Sequence, residues 1–336
     1  MNLTYDERIA QQIATYAETI NMHDLPDVFH VWSDSYLRPA LEEVFGTSSI
    51  DEAYAFGYLD AKVKGRGRIL SIGSGDGEVE IRVAKALLKH GITDFTIVCS
   101  DVSPILIERN KAAVQRDGLE QYFEPVVSDL NKIDIPGRFD MIMANHSLHH
   151  IQELEYLFDY SFERLTENGV FITNDMIGRN GHMRWPEAKV FVDLIWPLLS
   201  DTQKIHTQLR RFNEKFIDHD CSLGGDDFEG IRAQDILPLI LQRFMPHKFI
   251  CSGGIIDLFV DRGFGHGFDR GNESDMALIH LIAGINDVLL DAGVITPTWT
   301  MASFTKNDRG QKYYRTRTAE LAVRKADPSW LRYHKF

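Results

Sequence analysis

The chain is 336 residues long, 44% hydrophobic and 25% charged, which supports a sizeable buried core. Its formal net charge of -13 disfavours the phosphate backbone as a main partner, because that binding needs clustered Lys and Arg. No apolar run is long enough to span a bilayer, the amino terminus is too polar for a signal peptide, and Cys99, Cys221 and Cys251 lack CxxC spacing; the expectation is a cytoplasmic protein with no nucleic acid and no membrane as partner.

In chain order, DERIAQQIATYAETI and LRPALEEVF read as helices, giving an N-terminal helical cap over 1–65. From Arg68 the pattern alternates: RILSI, a helix to about His90, FTIVCS, the helical PILIERNKAAVQRDG, YFEPVV, FDMIMAN, the helical ELEYLFDYSFERLTENG, then VFITN. Short apolar runs between amphipathic helices imply an α/β core over 66–175, with a parallel sheet and right-handed crossovers. The alternation lapses over 176–246, which reads as a helical insertion covering the carboxyl ends of the strands. HKFICSGGIIDLFV, the helical DMALIHLIAGINDVLLDAG and TPTWTMASFTKN resume it over 247–310, and 311–336 reads as a tail.

The turn SIGSGDGEVE, after the first strand, asks which ligand its glycines serve. A dinucleotide fingerprint needs Gly or Ala three residues after Gly75, where this chain has Glu78, an acid that would repel a pyrophosphate. No Gly-Lys-Ser/Thr follows, so a P-loop is excluded as well. A ligand without phosphate that tolerates nearby acids fits better, such as an amino acid joined to a nucleoside through a positive sulfur.

In ordered succession, LSIGSGDGEVE, IVCSDVSP, VVSDL, FDMIMANHSLHHI and LTENGVFITND resemble the motifs of the class I S-adenosylmethionine-dependent methyltransferases. HDLPDVFHVWSDSYLRP and NDMIGRNGHMRWP are similar to segments of a bacterial group within them that acts on small molecules. The resemblance implies a doubly wound, mostly parallel seven-stranded Rossmann-like sheet with S-adenosylmethionine as cofactor and S-adenosylhomocysteine as product. It further implies that Gly73, Gly75 and Gly77, with Ser74 and Asp76 at the turn, pass under the methionine part. Asp101 would accept the ribose hydroxyls, or else cap a helix, although Ser103 is the better cap. Val102 would lie against the adenine, Asp129 would accept from its amino group, Leu130 would offer a backbone donor, and Asn145 would line the pocket.

His146, His149 and His150 resemble a metal cluster, but neighbouring residues on a helix point apart, so no metal is expected. His146, at the edge of the sheet, is the candidate general base. Trp32, Tyr36, Trp185 and His219 are candidate walls of an acceptor pocket, with His182, Arg184 and Asp220 as further candidates, and the glycines of DRGFGHGFD suit a flexible loop above it. The expected activity is methyl transfer to an oxygen of a small natural-product, sugar or aromatic acceptor. Nitrogen or carbon acceptors, a nicotinamide-dependent dehydrogenase and a non-catalytic binding subunit are the alternatives. A homodimer is one candidate assembly. The motifs of amino-methylating and cytosine-5 DNA enzymes are absent.

Overall fold

The computed structural model describes residues 4–18, 25–224 and 228–334. The ends of three segments read above, at 19–20, 23–24 and 225–227, lie outside them.

Among the described residues there are ten strands: β1 (Gly67–Ile72), β2 (Phe95–Asp101), β3 (Phe123–Val127), β4 (Phe139–Asn145), β5 (Leu165–Met176), β6 (Ile205–His206), β7 (Arg211–Phe212), β8 (Met245–Ser252), β9 (Trp299–Thr305) and β10 (Lys312–Tyr313). Eight form the main sheet in the order β10-β8-β9-β5-β4-β1-β2-β3, and β6 pairs with β7 in a small hairpin. β1 to β5 pair in parallel, whereas β9 runs antiparallel between β5 and β8. The doubly wound fold implied by the motifs is therefore present, with eight strands instead of seven. The extra strand is β10, contributed by the segment read as a tail. Chain direction across the sheet reverses between β1 and β4, the switch point at which sheets of this kind bind their ligands.

Successive strand residues face opposite sides, and helices cover both sides, so the central strands are apolar throughout. Leu70, Ile72, Phe139 and Ile142 pack with Leu154, Leu157 and Phe158 of the helix Leu154–Arg164. Ile69, Met141, Met143 and Ile172 pack on the other face with Ile81 and Leu87 of the helix Glu78–Lys89, together with Tyr54 and Tyr58. Both tyrosines belong to Ile50–Asp60, a helix the sequence pattern did not separate from the cap.

The insertion is less helical than expected. Its longer helices are Pro186–Ile195 and Ala233–Ile240, separated by short turns and the β6–β7 hairpin. Pro197 sits in the turn that ends the first of them, where a ring without an N–H cannot continue the helix. The tail is also integrated. Arg317, 5% exposed, pairs with Asp287 at 3.0 Å and Asp291 at 2.7 Å, and Arg324 pairs with the buried Glu187 at 3.0 Å.

One acid faces inward from the helix that follows β1. Glu80, 2% exposed, accepts a hydrogen bond from the Ser71 hydroxyl at 2.5 Å. Burial raises its carboxyl from 4.5 to about 7. The folded pKa exceeds the unfolded one, so the stability this group contributes is complete below pH 4.5 and lost as pH rises through about 7. Glu80→Gln should flatten that part of the stability profile in urea unfolding between pH 4.5 and 8; a slope unchanged from the parent would show that Glu80 does not titrate there.

Candidate functional site

The turn after β1 is built from three glycines with different jobs. All lie in the left-handed region, with φ of 70° at Gly73, 55° at Gly75 and 80° at Gly77. A Cβ on Gly73 would stand 2.5 Å from the Ser147 Cβ, and one on Gly77 would stand 2.0 Å from the Asn110 amide nitrogen. Around Gly75 nothing lies within 4 Å. Packing therefore demands glycine at the two outer positions, and the middle one presents bare backbone, a cradle that fits the methionine part of S-adenosylmethionine.

The buried Asp101 carboxylate, at the end of β2, accepts from the Gly75 amide at 3.0 Å and the Ser103 amide at 2.8 Å. Burial raises its pKa, with those amides acting in the opposite direction. Each oxygen keeps a lone pair for a further donor. Ser103 itself caps the helix Pro104–Arg116, so the cap and the acid are separate residues. Val102 follows half-buried, and Leu130 approaches the Gly73 turn. Asp129 accepts from the Asn131 amide at 3.0 Å and, through both oxygens, from the Tyr5 hydroxyl at 2.8 Å. The first helix, Tyr5–Glu18, thus reaches this end of the site, where the Tyr5 ring lies 5.8 Å from Phe228 and Arg8 stands 4.3 Å over Phe228. Asp76 and Glu78 are exposed at the start of the helix after the turn; Asp76 accepts from the Glu78 amide at 3.3 Å, and the Glu78 carboxylate pairs with Arg82 at 2.7 Å.

Across the switch point, β4 ends at Asn145, whose side-chain oxygen accepts from the Tyr54 hydroxyl at 3.2 Å and the Asn174 amide at 3.0 Å. Asn174 in turn accepts from the Trp299 indole at 2.7 Å. His146 follows with φ of 50°, its amide donating to the Asn174 carbonyl at 2.8 Å. Its side chain is exposed beside the turn. Desolvation by the neighbouring protein lowers its pKa below 6.5, leaving a neutral imidazole at neutral pH.

Below it, the Asp175 carboxylate is fully buried. It accepts from the amides of Ser147 at 2.9 Å, Leu148 at 2.8 Å and Met176 at 2.8 Å, and pairs with His149 Nδ1 at 2.5 Å. Burial would lower the His149 pKa, but Asp175 and Glu229 outweigh it and raise it to about 10. His150 is pushed down to about 3 by burial and by the charge on His149. Glu229, from the insertion, lies 3.6 Å from His149 Nε2, 3.7 Å from His150 Nε2 and 2.6 Å from His182 Nε2. Burial alone would raise its pKa; the histidines hold it well below the usual carboxylate range. His149 and His150 do not point apart as expected. Their rings are 4.1 Å apart on a tight turn, and the two Glu229 oxygens meet one each.

The four proposed pocket walls do not gather at this site. Trp32, 4% exposed, is packed in an apolar cluster with Val28, Trp196 and Phe259. Tyr36 bonds His280 at 3.3 Å, and Arg324 lies 4.3 Å over the Trp185 ring. His219 is exposed on the insertion. Nor is GFGHGF a loose loop: Phe264 and Phe268 are buried, and a Cβ on Gly265 or Gly267 would meet a backbone oxygen at 2.7 Å. Sequence reading passed over Tyr5, Asp175 and Glu229. Only Asp175 carried a signal, an acid ending an apolar strand; the other two are brought in by tertiary packing.

Residues 70–171 match a family model described as "Methyltransferase domain". A curated relative, the polyketide synthase ThaQ of Burkholderia thailandensis, is 26% identical over 127 residues; the match covers 38% of this chain and 6% of that relative's length. Among solved structures, the O-methyltransferase from a trans-AT PKS multienzyme of Brevibacillus brevis in complex with S-adenosyl-L-homocysteine is 14% identical, with 90% of this chain and 86% of that one covered and a TM-score of 0.45. The geranyl diphosphate C-methyltransferase of Streptomyces coelicolor is 10% identical, covering 89% and 98%, with a TM-score of 0.45.

The glycines offer a paired test. Gly73→Ala should destabilise the fold by about 2 kcal/mol or more, since strain and a clash with Ser147 add. Gly75→Ala should cost only the left-handed strain, about 1–2 kcal/mol, yet sharply weaken binding of the sulfur nucleosides. Calorimetry with S-adenosylhomocysteine, alongside thermal unfolding, reads both; full affinity in folded Gly75→Ala would remove this turn from the site.

Proposed function

We propose that this chain transfers a methyl group from S-adenosylmethionine to an oxygen of a small organic acceptor, with His146 taking the acceptor's proton; the match of residues 70–171 to a methyltransferase-domain model supports the reaction class. The observation that carries this reading is the placement of His146. β1 and β4 pair in register through Ile72 and Ala144, so the Gly73 turn and the Asn145–His146 turn leave neighbouring strands side by side. An exposed imidazole, its pKa lowered, therefore stands beside the glycine cradle.

When bound, the cofactor supplies an activated methyl group with a neutral leaving group. The chain has to align the acceptor and exclude water, which can lower a barrier by roughly 7–11 kcal/mol. Asp101 and Asp129 would hold the ribose and adenine ends, Gly75 would let the backbone approach, and Asn145, fixed by Tyr54 and Asn174, would shape the wall between cofactor and acceptor. An alcohol keeps its proton at neutral pH, so a positioned base is needed, and neutral His146 supplies one. The insertion, through His182 and Glu229, forms the acceptor side. Asp76, exposed at the turn, speaks against a nicotinamide dinucleotide.

His146→Ala should lower methyl transfer about a hundredfold or more while S-adenosylhomocysteine affinity stays within a few-fold. The parent enzyme should lose rate in acid, with a midpoint below 6.5, and the variant should lack that limb. A panel of alcohols, amines and carbon acids with labelled cofactor, read by mass spectrometry, identifies the atom. Methylation confined to nitrogen or carbon, or an unchanged His146→Ala rate, overturns the oxygen reading.

A further inference from the structure

We propose that His149, His182 and Glu229 form a site for one divalent transition-metal ion. One donor atom from each side chain lies within 4.8 Å of the others. His149 uses Nδ1 for Asp175, which leaves Nε2 facing Glu229 at 3.6 Å, and His182 Nε2 stands 2.6 Å from the same carboxylate. The two rings meet edge to face, 5.2 Å between centroids.

Three features point to an ion beyond the mere presence of the donors. First, ligands about 2.0–2.2 Å from a shared ion stand about 3–3.5 Å from one another. The His149–Glu229 separation of 3.6 Å is just outside that range, the His182–Glu229 contact has to open by about half an ångström, and all three donors already lie within 4.8 Å of one another. Second, His149 is backed by a buried carboxylate on its other nitrogen, the arrangement that orients a metal-bound imidazole, and that carboxylate is itself held by three backbone amides. Third, the loops carrying His182 and Glu229 are tied together. The Gly181 amide donates to the Gly230 carbonyl at 2.9 Å, His182 is held at a φ of 56°, and a Cβ on Gly230 would come within 3.2 Å of His182 Nε2. The backbone is arranged to bring these side chains close.

Two imidazoles and one carboxylate suit zinc, iron(II) or cobalt(II), and they suit magnesium and calcium poorly, since those ions prefer oxygen alone. Three protein ligands leave coordination positions open, and the His149 ring lies 6.5 Å from that of His146. Those positions fit an acceptor with a pair of chelating oxygens, such as a hydroxy acid or a diol, held with one oxygen towards His146. This role for the ion rests on the methyl-transfer reading; the ion site itself does not.

The test uses the full chain, stripped with a chelator, dialysed and titrated with Zn2+ alone, with Co2+ followed by its visible absorption, and with Mg2+ for contrast. One Zn2+ or Co2+ per chain is expected, with no comparable Mg2+ binding. Glu229→Gln and His182→Gln, each verified as folded by circular dichroism, should weaken binding at least tenfold, whereas His90→Gln at an exposed position should not. Binding below one ion per chain, or equal affinity in Glu229→Gln and His182→Gln, overturns the site. S-adenosylhomocysteine is titrated on the same metal-free chain: its binding without metal binding defeats the ion site and leaves the methyl-transfer reading standing, and the converse result does the reverse.

Discussion

The site depends on one buried charge, the carboxylate of Asp175. A carboxylate removed from water costs several kcal/mol unless donors surround it. Here the donors are the amides of Ser147, Leu148 and Met176 and the ring of His149, so the turn after β4 has to wrap around the end of β5. Ser147 carries the constraint further. Its hydroxyl donates to the Ile72 carbonyl at 2.6 Å, and its Cβ occupies the space that a side chain at Gly73 would need. The glycine turn, the His146 backbone and the orientation of His149 therefore form one packed unit around one acid.

Over that unit lie segments from distant parts of the chain, fastened by ion pairs at low exposure. Arg184, at the start of the insertion, pairs with Asp257 at 2.6 Å, and Arg324 and Arg317 join the carboxyl-terminal segment to Glu187 and to Asp287 and Asp291. Such pairs are a weak source of net stability, yet removing one partner from a buried pair costs about 3–5 kcal/mol. They act as registry devices, specifying where a segment docks. The first helix adds a smaller clasp through Tyr5 and Asp129, so the acid that would receive the adenine amino group is also the acid that holds down the cap.

The division of labour among histidines follows from their neighbours. Three of the rings on this turn are pushed in different directions: His146 and His150 downwards by the loss of water around them, and His149 upwards by the carboxylates of Asp175 and Glu229. Separated in this way, they can serve different ends within one site, with His149 held in place by Asp175.

The sequence by itself determined the sheet, the glycine turn and the acids after the strands, because these are local. Strand and helix periodicity, a left-handed turn and an acid at a strand end are each written within about ten contiguous residues. It did not show how the insertion and the tail pack, because an aromatic residue such as Trp32 or Trp185 carries no mark of which partner will cover it. Only the tertiary structure decided that Trp32 is core, that Arg324 covers Trp185, and that Glu229 meets His149, His150 and His182. The physical reason is that such a meeting is a property of packed loops. Gly230 lies against Gly181 because it lacks a side chain, since a Cβ there would stand 3.1 Å from the Gly181 amide nitrogen, and a contact between residues far apart in the chain leaves no periodic trace in either segment.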